Sequence, residues 1–158
     1  SMIKKTDKVL VMFAGVGPYS ICIAKNSGAE VFSNEINREA NKYAELNIKL
    51  NKVQNKVELF PGDIKKVAKK LNKQKFNVIV MPRPRLKESF LKQAFLLSKK
   101  GTKIFYYDFC KIEDKNEIIE KIKNEAKKAK KKIKITRIKN AGEIAPYKIR
   151  IRVDFVIV

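Results

Sequence analysis

The chain has 158 residues, with 37 Lys and Arg against 16 Asp and Glu, a formal charge of +21 and no histidine. That length fits one domain with a real core, and the 44% hydrophobic content argues against disorder. Lack of histidine excludes Ser-His-Asp triads, histidine general bases and most zinc sites within the chain, and no metal is expected.

Taken in order, Lys8 to Phe13 is a short apolar run suited to a strand covered on both faces. Pro18 opens a helix, where a proline at the first position costs nothing. Ala29 to Ser33 reads as a second strand, and Asn37 caps a helix whose Ala40, Tyr43, Ala44 and Ile48 fall at helical spacing. Lys56 to Phe60 is a third strand closed by Pro61-Gly62, and Phe76 to Met81 a fourth, fully buried one. Leu86, Phe90, Ala94 and Leu97 trace one face of a helix ended by Gly101, before a fifth strand from Thr102 to Phe109. A long helix from about Asp114 carries the stripe Ile118, Ile122, Ala126 and Ala129. Lys132 to Lys139 and Tyr147 to Val158 are the last strands, joined through Asn140-Ala141-Gly142, too short a join for a crossover helix and therefore antiparallel.

Strand-helix alternation closed by a hairpin predicts an α/β fold of the Rossmann-like class I methyltransferase kind. Its sheet of about seven strands is mostly parallel, with a C-terminal antiparallel hairpin. Residues 1–158 read as one domain. No apolar run reaches the ~20 residues of a membrane helix, and Met2 to Lys5 have no signal-peptide core. Ser1 ahead of Met2 reads as a cloning scar, while Cys22 and Cys110 are too few for a disulfide framework. Together these predict a cytoplasmic monomer. The positive charge favours encounter with nucleic acid, although solvated lysine faces account for it equally well.

The first strand runs into Phe13-Ala14-Gly15-Val16-Gly17-Pro18-Tyr19, whose glycines let backbone pass close to a ligand above a helix N-terminus. Glu35, twenty residues after Gly15 at the end of the second strand, is placed to accept hydrogen bonds from both ribose hydroxyls of an adenosine. Ser20 stands where a dinucleotide fingerprint has its third glycine, which favours S-adenosylmethionine over NAD. Gly62-Asp63 adds a carboxylate near the adenine, or else a helix N-cap.

The ordered series VMFAGVGPYSI (from Val11), SNEIN (from Ser33), LNIKLN (from Leu46), Gly62-Asp63, VIVMPRP (from Val78), FYYDF (from Phe105) and APYKIRIRVDF (from Ala145) covers nearly the whole chain. It resembles the archaeal and eukaryotic tRNA guanine-N1 methyltransferases, class I enzymes that act on the guanine 3′ to the anticodon. The wybutosine-pathway aminocarboxypropyl transferases share this domain. The resemblance implies S-adenosylmethionine as cofactor and tRNA as partner. Phe13, Ala14, Gly15, Val16 and Gly17 then border the methionine end, Glu35 and Ile36 the ribose, Gly62, Asp63 and Ile64 the adenine, and Met81 the floor. Pro82, Arg83 and Pro84 become the target-base pocket; no catalytic base is identified.

Three departures follow from the same resemblance. Pro82 stands where the family often has asparagine, and Val11 where it usually has an acid that steadies the cofactor loop. No counterpart precedes Lys8 for the family's N-terminal tRNA-binding domain, nor for the upstream arginine and glutamate that assist proton removal. An upstream domain or a separate polypeptide is therefore implied as a partner. Lysines in 65–75 and 121–139, with Arg83 and Arg85, are candidates for phosphate contacts. Besides methyl transfer to guanine N1, aminocarboxypropyl transfer and a non-catalytic cofactor- or RNA-binding module remain as alternatives.

Overall fold

The computed structural model describes residues 2–158, so the reading of Ser1 lies outside the described residues. Its seven strands are β1 (Lys8–Val11), β2 (Glu30–Glu35), β3 (Val57–Pro61), β4 (Phe76–Met81), β5 (Ser98–Lys111), β6 (Ile133–Ala145) and β7 (Lys148–Ile157). They form one sheet in the order β3-β2-β1-β4-β5-β7-β6. The first five run parallel, while β7 pairs antiparallel with both β5 and β6.

Alternation along β1 explains both faces. Val9 and Val11 join a cluster with Ile21, Ala24 and Ile48, from α1 (Pro18–Ser27) and α2 (Arg38–Leu50). Leu10 and Met12 point the other way, into a larger cluster. There they meet Ile64 of α3 (Ile64–Lys70), Leu91 and Ala94 of α4 (Leu91–Leu96), and Ile118 and Ile122 of α5 (Lys115–Lys128). Val9, Leu10, Val11 and Met12 are all fully buried, as the uninterrupted apolar run requires.

Helix α2 begins at Asn37 as expected, its Oδ1 accepting from the Ala40 N–H at 3.1 Å. Tyr43, however, is 59% exposed, and Asn41 takes an inward place instead. The Asn41 Nδ2 caps two backbone carbonyls, Glu35 O and Asn37 O, which an apolar side chain could not satisfy.

Two regions differ most from the sequence reading. The helix expected from Leu86 starts only at Leu91, because the carbonyls of Leu86 and Glu88 are taken by the Arg83 guanidinium. It ends at Leu96, and β5 begins at Ser98 beside Phe76. Gly101 lies inside that strand, where Thr102 Oγ1 donates to Phe76 O and accepts from Lys99 N–H. The second difference is the final hairpin, which turns at Pro146-Tyr147, with Tyr147 left-handed at φ 61°. Asn140-Ala141-Gly142 is a bulge within β6: Gly142 has φ 138°, and its N–H donates to Asn140 Oδ1. Further register shifts fall between Ile135 and Arg137 and between Glu143 and Ala145.

Candidate functional site

The C-terminal ends of β1, β2, β3 and β4 lie side by side in the sheet, and the predicted residues lie where the chain leaves them. Leaving β1, Met12 N–H still bonds to Val80 O and Ala14 N–H to Asn34 O, so the turn is pinned to both neighbouring strands. Phe13 takes φ 56°, Gly15 φ 58° and Gly17 φ 93°. Gly17 favours glycine because it enters α1 in a left-handed conformation, although a Cβ there would find ordinary contacts with Ile21 and Ala44 at 3.5 and 3.7 Å. A Cβ on Gly15 would meet no protein atom within 4 Å, so the space beside it is open.

Glu35 joins this turn to β2. Its Oε2 accepts from Gly15 N–H at 2.8 Å and its Oε1 from Asn37 N–H at 2.9 Å. Each carboxylate oxygen keeps a second acceptor site, so the group can hold the turn and still receive two hydroxyls. Asn34, to which sequence reasoning gave no role, ties the next edge: its Nδ2 donates to Phe60 O at 2.8 Å and Gly62 O at 3.0 Å. Asn47 Nδ2 likewise donates to Val16 O. The sequence signal for both asparagines was their place in the SNEIN and LNIKLN motifs, which did not say what their side chains would hold.

The remaining candidates separate by accessibility. Val16 and Ile36 are 44% and 66% exposed, apolar surface beside the glycine turn and the ribose acid. Ala14, Ile64 and Met81 are buried among the core residues, and Met81 presents no surface to a ligand. Asp63 caps α3, its Oδ1 accepting from Lys65 N–H at 2.9 Å. Val11, at the position of the family's acid, is buried among the apolar residues of the sheet. Ser20 and Ser33 share a buried hydrogen bond of 2.7 Å, so the residue in the third glycine's place binds α1 to β2.

Arg83 is not at the rim. Its side chain is buried, with Nη1 2.7 Å from Asp108 Oδ1, and therefore holds no phosphate. Pro82 is half-buried and Pro84 exposed, at the point where the chain leaves β4. Asp108 also accepts from Tyr106 Oη, Lys121 Nζ and the Phe109 N–H, each at 2.8 Å. Burial alone would raise its pKa, but the Lys121 bond, the Arg83 charge and the Phe109 and Tyr106 bonds outweigh it and hold the carboxyl below the ordinary aspartate range. Burial, then the Asp108 charge, pushes the Tyr106 hydroxyl well up. Asp108 is thus a fixed anion and a poor proton acceptor.

The lysines divide similarly. Lys121 is committed to Asp108, Lys75 to Leu96 O, and Lys65 to Glu88 at 2.8 Å. Lys69, Lys87 and Lys92 line a groove of about 1030 Å³ between α3, α4 and α5, which also includes Phe90 at the end nearest the turn. Among the described residues no helix is long and apolar enough to cross a membrane.

Comparison with known proteins agrees with this geometry. The family described as the TRM5/TYW2 methyltransferase domain matches residues 1–136. Trm5b of Pyrococcus abyssi, a tRNA (guanine(37)-N(1))-methyltransferase, is 36% identical over 155 residues, 98% of this chain and 45% of that protein. Its crystal structure superposes with a TM-score of 0.87 at 34% identity, covering 99% of this chain and 46% of that one. Trm5b of Methanocaldococcus jannaschii is 34% identical over 109 residues, 69% of this chain and 30% of that protein. The structure of M. jannaschii TYW2 in complex with AdoMet matches with a TM-score of 0.84 at 26% identity, covering 98% of this chain and 71% of that one. The chain spans less than half the length of either Trm5b relative. With the glycine turn, the strand-end acid and the terminal hairpin in the family's arrangement, the chain belongs to the TRM5/TYW2 methyltransferase domain family.

Proposed function

We propose that this chain binds S-adenosylmethionine and transfers its methyl group to N1 of a tRNA guanine next to the anticodon, in the cytoplasm. The observation that carries the reading is the double grip of Glu35 on the Gly15 and Asn37 N–H groups, which holds a diol acceptor beside open space at Gly15. Bound there, the cofactor supplies an activated methyl group on a sulfonium. Glu35 receives the ribose hydroxyls beside Ile36, and Phe13, Gly15 and Gly17 present backbone to the methionine end. Pro82 and Pro84 wall the pocket for the flipped base, and orientation supplies most of the rate.

Guanine N1 must lose a proton, and among Asp63, Asp108 and Glu143 none is set up to take it. Asp63 is spent as a cap, Asp108 is held anionic by its partners, and Glu143 lies exposed on β6, which sits at the far edge of the sheet from β1. We infer that the base comes from outside the matched stretch, on an upstream part of the polypeptide or a partner. Methyl transfer is favoured over aminocarboxypropyl transfer because, over nearly the whole chain, the superposed P. abyssi Trm5b and M. jannaschii tRNA m1G37 methyltransferase structures are 34% and 28% identical, against 26% and 22% for the TYW2 structures. Incubating the chain with S-adenosylmethionine and unmodified tRNA, with the remainder of a full-length relative supplied in trans, then digesting to nucleosides, tests this: 1-methylguanosine supports it, and an aminocarboxypropyl nucleoside or no product refutes it.

A further inference from the structure

Arg83 is among the largest fully buried side chains of the protein, with 1% of its surface exposed. Its guanidinium is spent at both ends: Nη1 donates to Asp108 Oδ1 at 2.7 Å, and Nη2 donates to Leu86 O at 2.5 Å and Glu88 O at 2.6 Å. The plane lies 5.6 Å from the Tyr106 ring, whose hydroxyl also bonds to Asp108. Lys121 reaches the other carboxylate oxygen from α5. A buried ion pair is a costly way to fill a core, since apolar residues of equal volume commonly do as well. What a hydrocarbon cannot do is hold backbone carbonyls, and here both carbonyls belong to residues 82–90, a stretch with no helix or strand of its own.

The two ends of that stretch touch the two halves of the site. Pro82 and Pro84 flank Arg83 in sequence, and in the reading given above they wall the base pocket. Phe90, held left-handed at φ 61°, sets its ring edge-on to Phe13 at 5.1 Å, against the glycine turn. A single guanidinium, anchored on β5, therefore fixes the distance between pocket wall and cofactor turn. We propose that Arg83 is a positioning residue for group transfer: through Asp108 it holds residues 82–90 rigid, so that the target base meets the activated methyl group in line. The inference rests on the methyl-transfer reading given above. It predicts that binding of the adenosine half, at Glu35 and Gly62 across the cleft, is largely independent of Arg83.

The experiment compares the full wild-type chain with Arg83→Met and Arg83→Lys. Three quantities are read: S-adenosylmethionine affinity, single-turnover methyl transfer to saturating unmodified tRNA, and amide exchange over residues 84–90. Arg83→Lys keeps a cation for Asp108 but cannot bridge to two carbonyls, so it separates charge pairing from loop fixing and serves where the Met variant fails to fold. In both variants, exchange at 84–90 should quicken, cofactor affinity should stay within about threefold, and the transfer rate should fall about 10- to 100-fold, the scale set by small misplacements. In Arg83→Ala, guanidinium ion at millimolar concentration should restore part of the rate where potassium does not. A wild-type rate in Arg83→Lys despite a loosened segment overturns the proposal, as does unchanged exchange at 84–90, or cofactor affinity lost in step with rate. A wild-type chain that transfers no methyl group even with the remainder of a full-length relative supplied in trans instead refutes the underlying reading, and the exchange measurement still decides whether Arg83 holds the segment.

Discussion

The Gly15 N–H donates to Glu35 Oε2 at 2.8 Å across twenty residues of sequence, so the acid at the end of β2 shapes the turn after β1 before any ligand arrives. Replacing it acts twice, by removing acceptors from the ribose and by releasing the turn. Glu35→Ala should weaken S-adenosylmethionine binding by about 1–3 kcal/mol, the usual cost of losing hydrogen bonds to a charged group. Titration calorimetry of the two proteins reads this directly, and equal affinities would remove Glu35 from the site.

Gly17→Ala tests the backbone of the same turn. The added methyl group meets Ile21 and Ala44 at ordinary contact distances, so the penalty comes from φ 93° and amounts to about 1–2 kcal/mol. For a domain of this size that corresponds to a melting temperature lower by about 2–8 °C. An unchanged melting temperature would show that the turn relaxes without cost.

Acid should expose the Asp108 network. Its carboxyl is held below the ordinary 3.8, so the unfolded chain takes up the proton first as pH falls. The stabilisation is fully present above that ordinary value and is lost as pH drops through the lower folded one. Asp108→Asn should be less stable at neutral pH, and its deficit should shrink below about pH 4. Parallel urea melts from pH 7 to pH 2.5 measure it, and a deficit independent of pH would mean that the charge is irrelevant.

RNA binding should be strongly salt-dependent. With +21 overall and Lys69, Lys87 and Lys92 lining the groove, each phosphate contacted releases counterions. A plot of log affinity for tRNA against log salt should fall with a slope of several units, each contact contributing about −0.7 to −0.9. Arg83→Lys should leave that slope unchanged, because the side chain is buried, whereas Lys87→Glu should flatten it.

The proton acceptor supplies a further check. If it lies outside the matched stretch, adding the remainder of a full-length relative in trans should raise single-turnover methylation by about 10²–10⁴, the usual worth of general base assistance. No increase would send the search back to the carboxylates of this chain.

Much of the architecture was legible because β1 and β4 are covered on both faces and read as unbroken apolar runs, with helical stripes such as Ile118, Ile122 and Ala126 between strands. That the glycine turn and Glu35 lie close together was legible too, since a glycine turn and a strand-end acid occupy neighbouring parallel strands, but the direct Gly15 N–H to Glu35 bond was not. The inward turn of Arg83 was not. PRPR offers two arginines of identical local context, and only the Asp108 carboxylate, twenty-five residues away, selects the one that folds inside. The hairpin misled for a similar reason: Asn140-Ala141-Gly142 carries turn residues, but a bulge uses the same left-handed glycine geometry, and the true turn places the non-glycine Tyr147 there.

The three register shifts in β6 bear on how this protein behaves at high concentration. β6 is one margin of the sheet, thirteen residues long, and most of its outer half is open to solvent. Regular spacing of free N–H and C=O groups on such a margin would invite strands from other copies. Each shift breaks that spacing, and Lys134, Arg137 and Lys139 add mutual repulsion along the same border. At the opposite margin, β3 is five residues long and ends on Pro61, which offers no N–H. Both borders are therefore poor templates for fibril growth, and removing the shifts while keeping the fold would open β6 to pairing with strands of other copies.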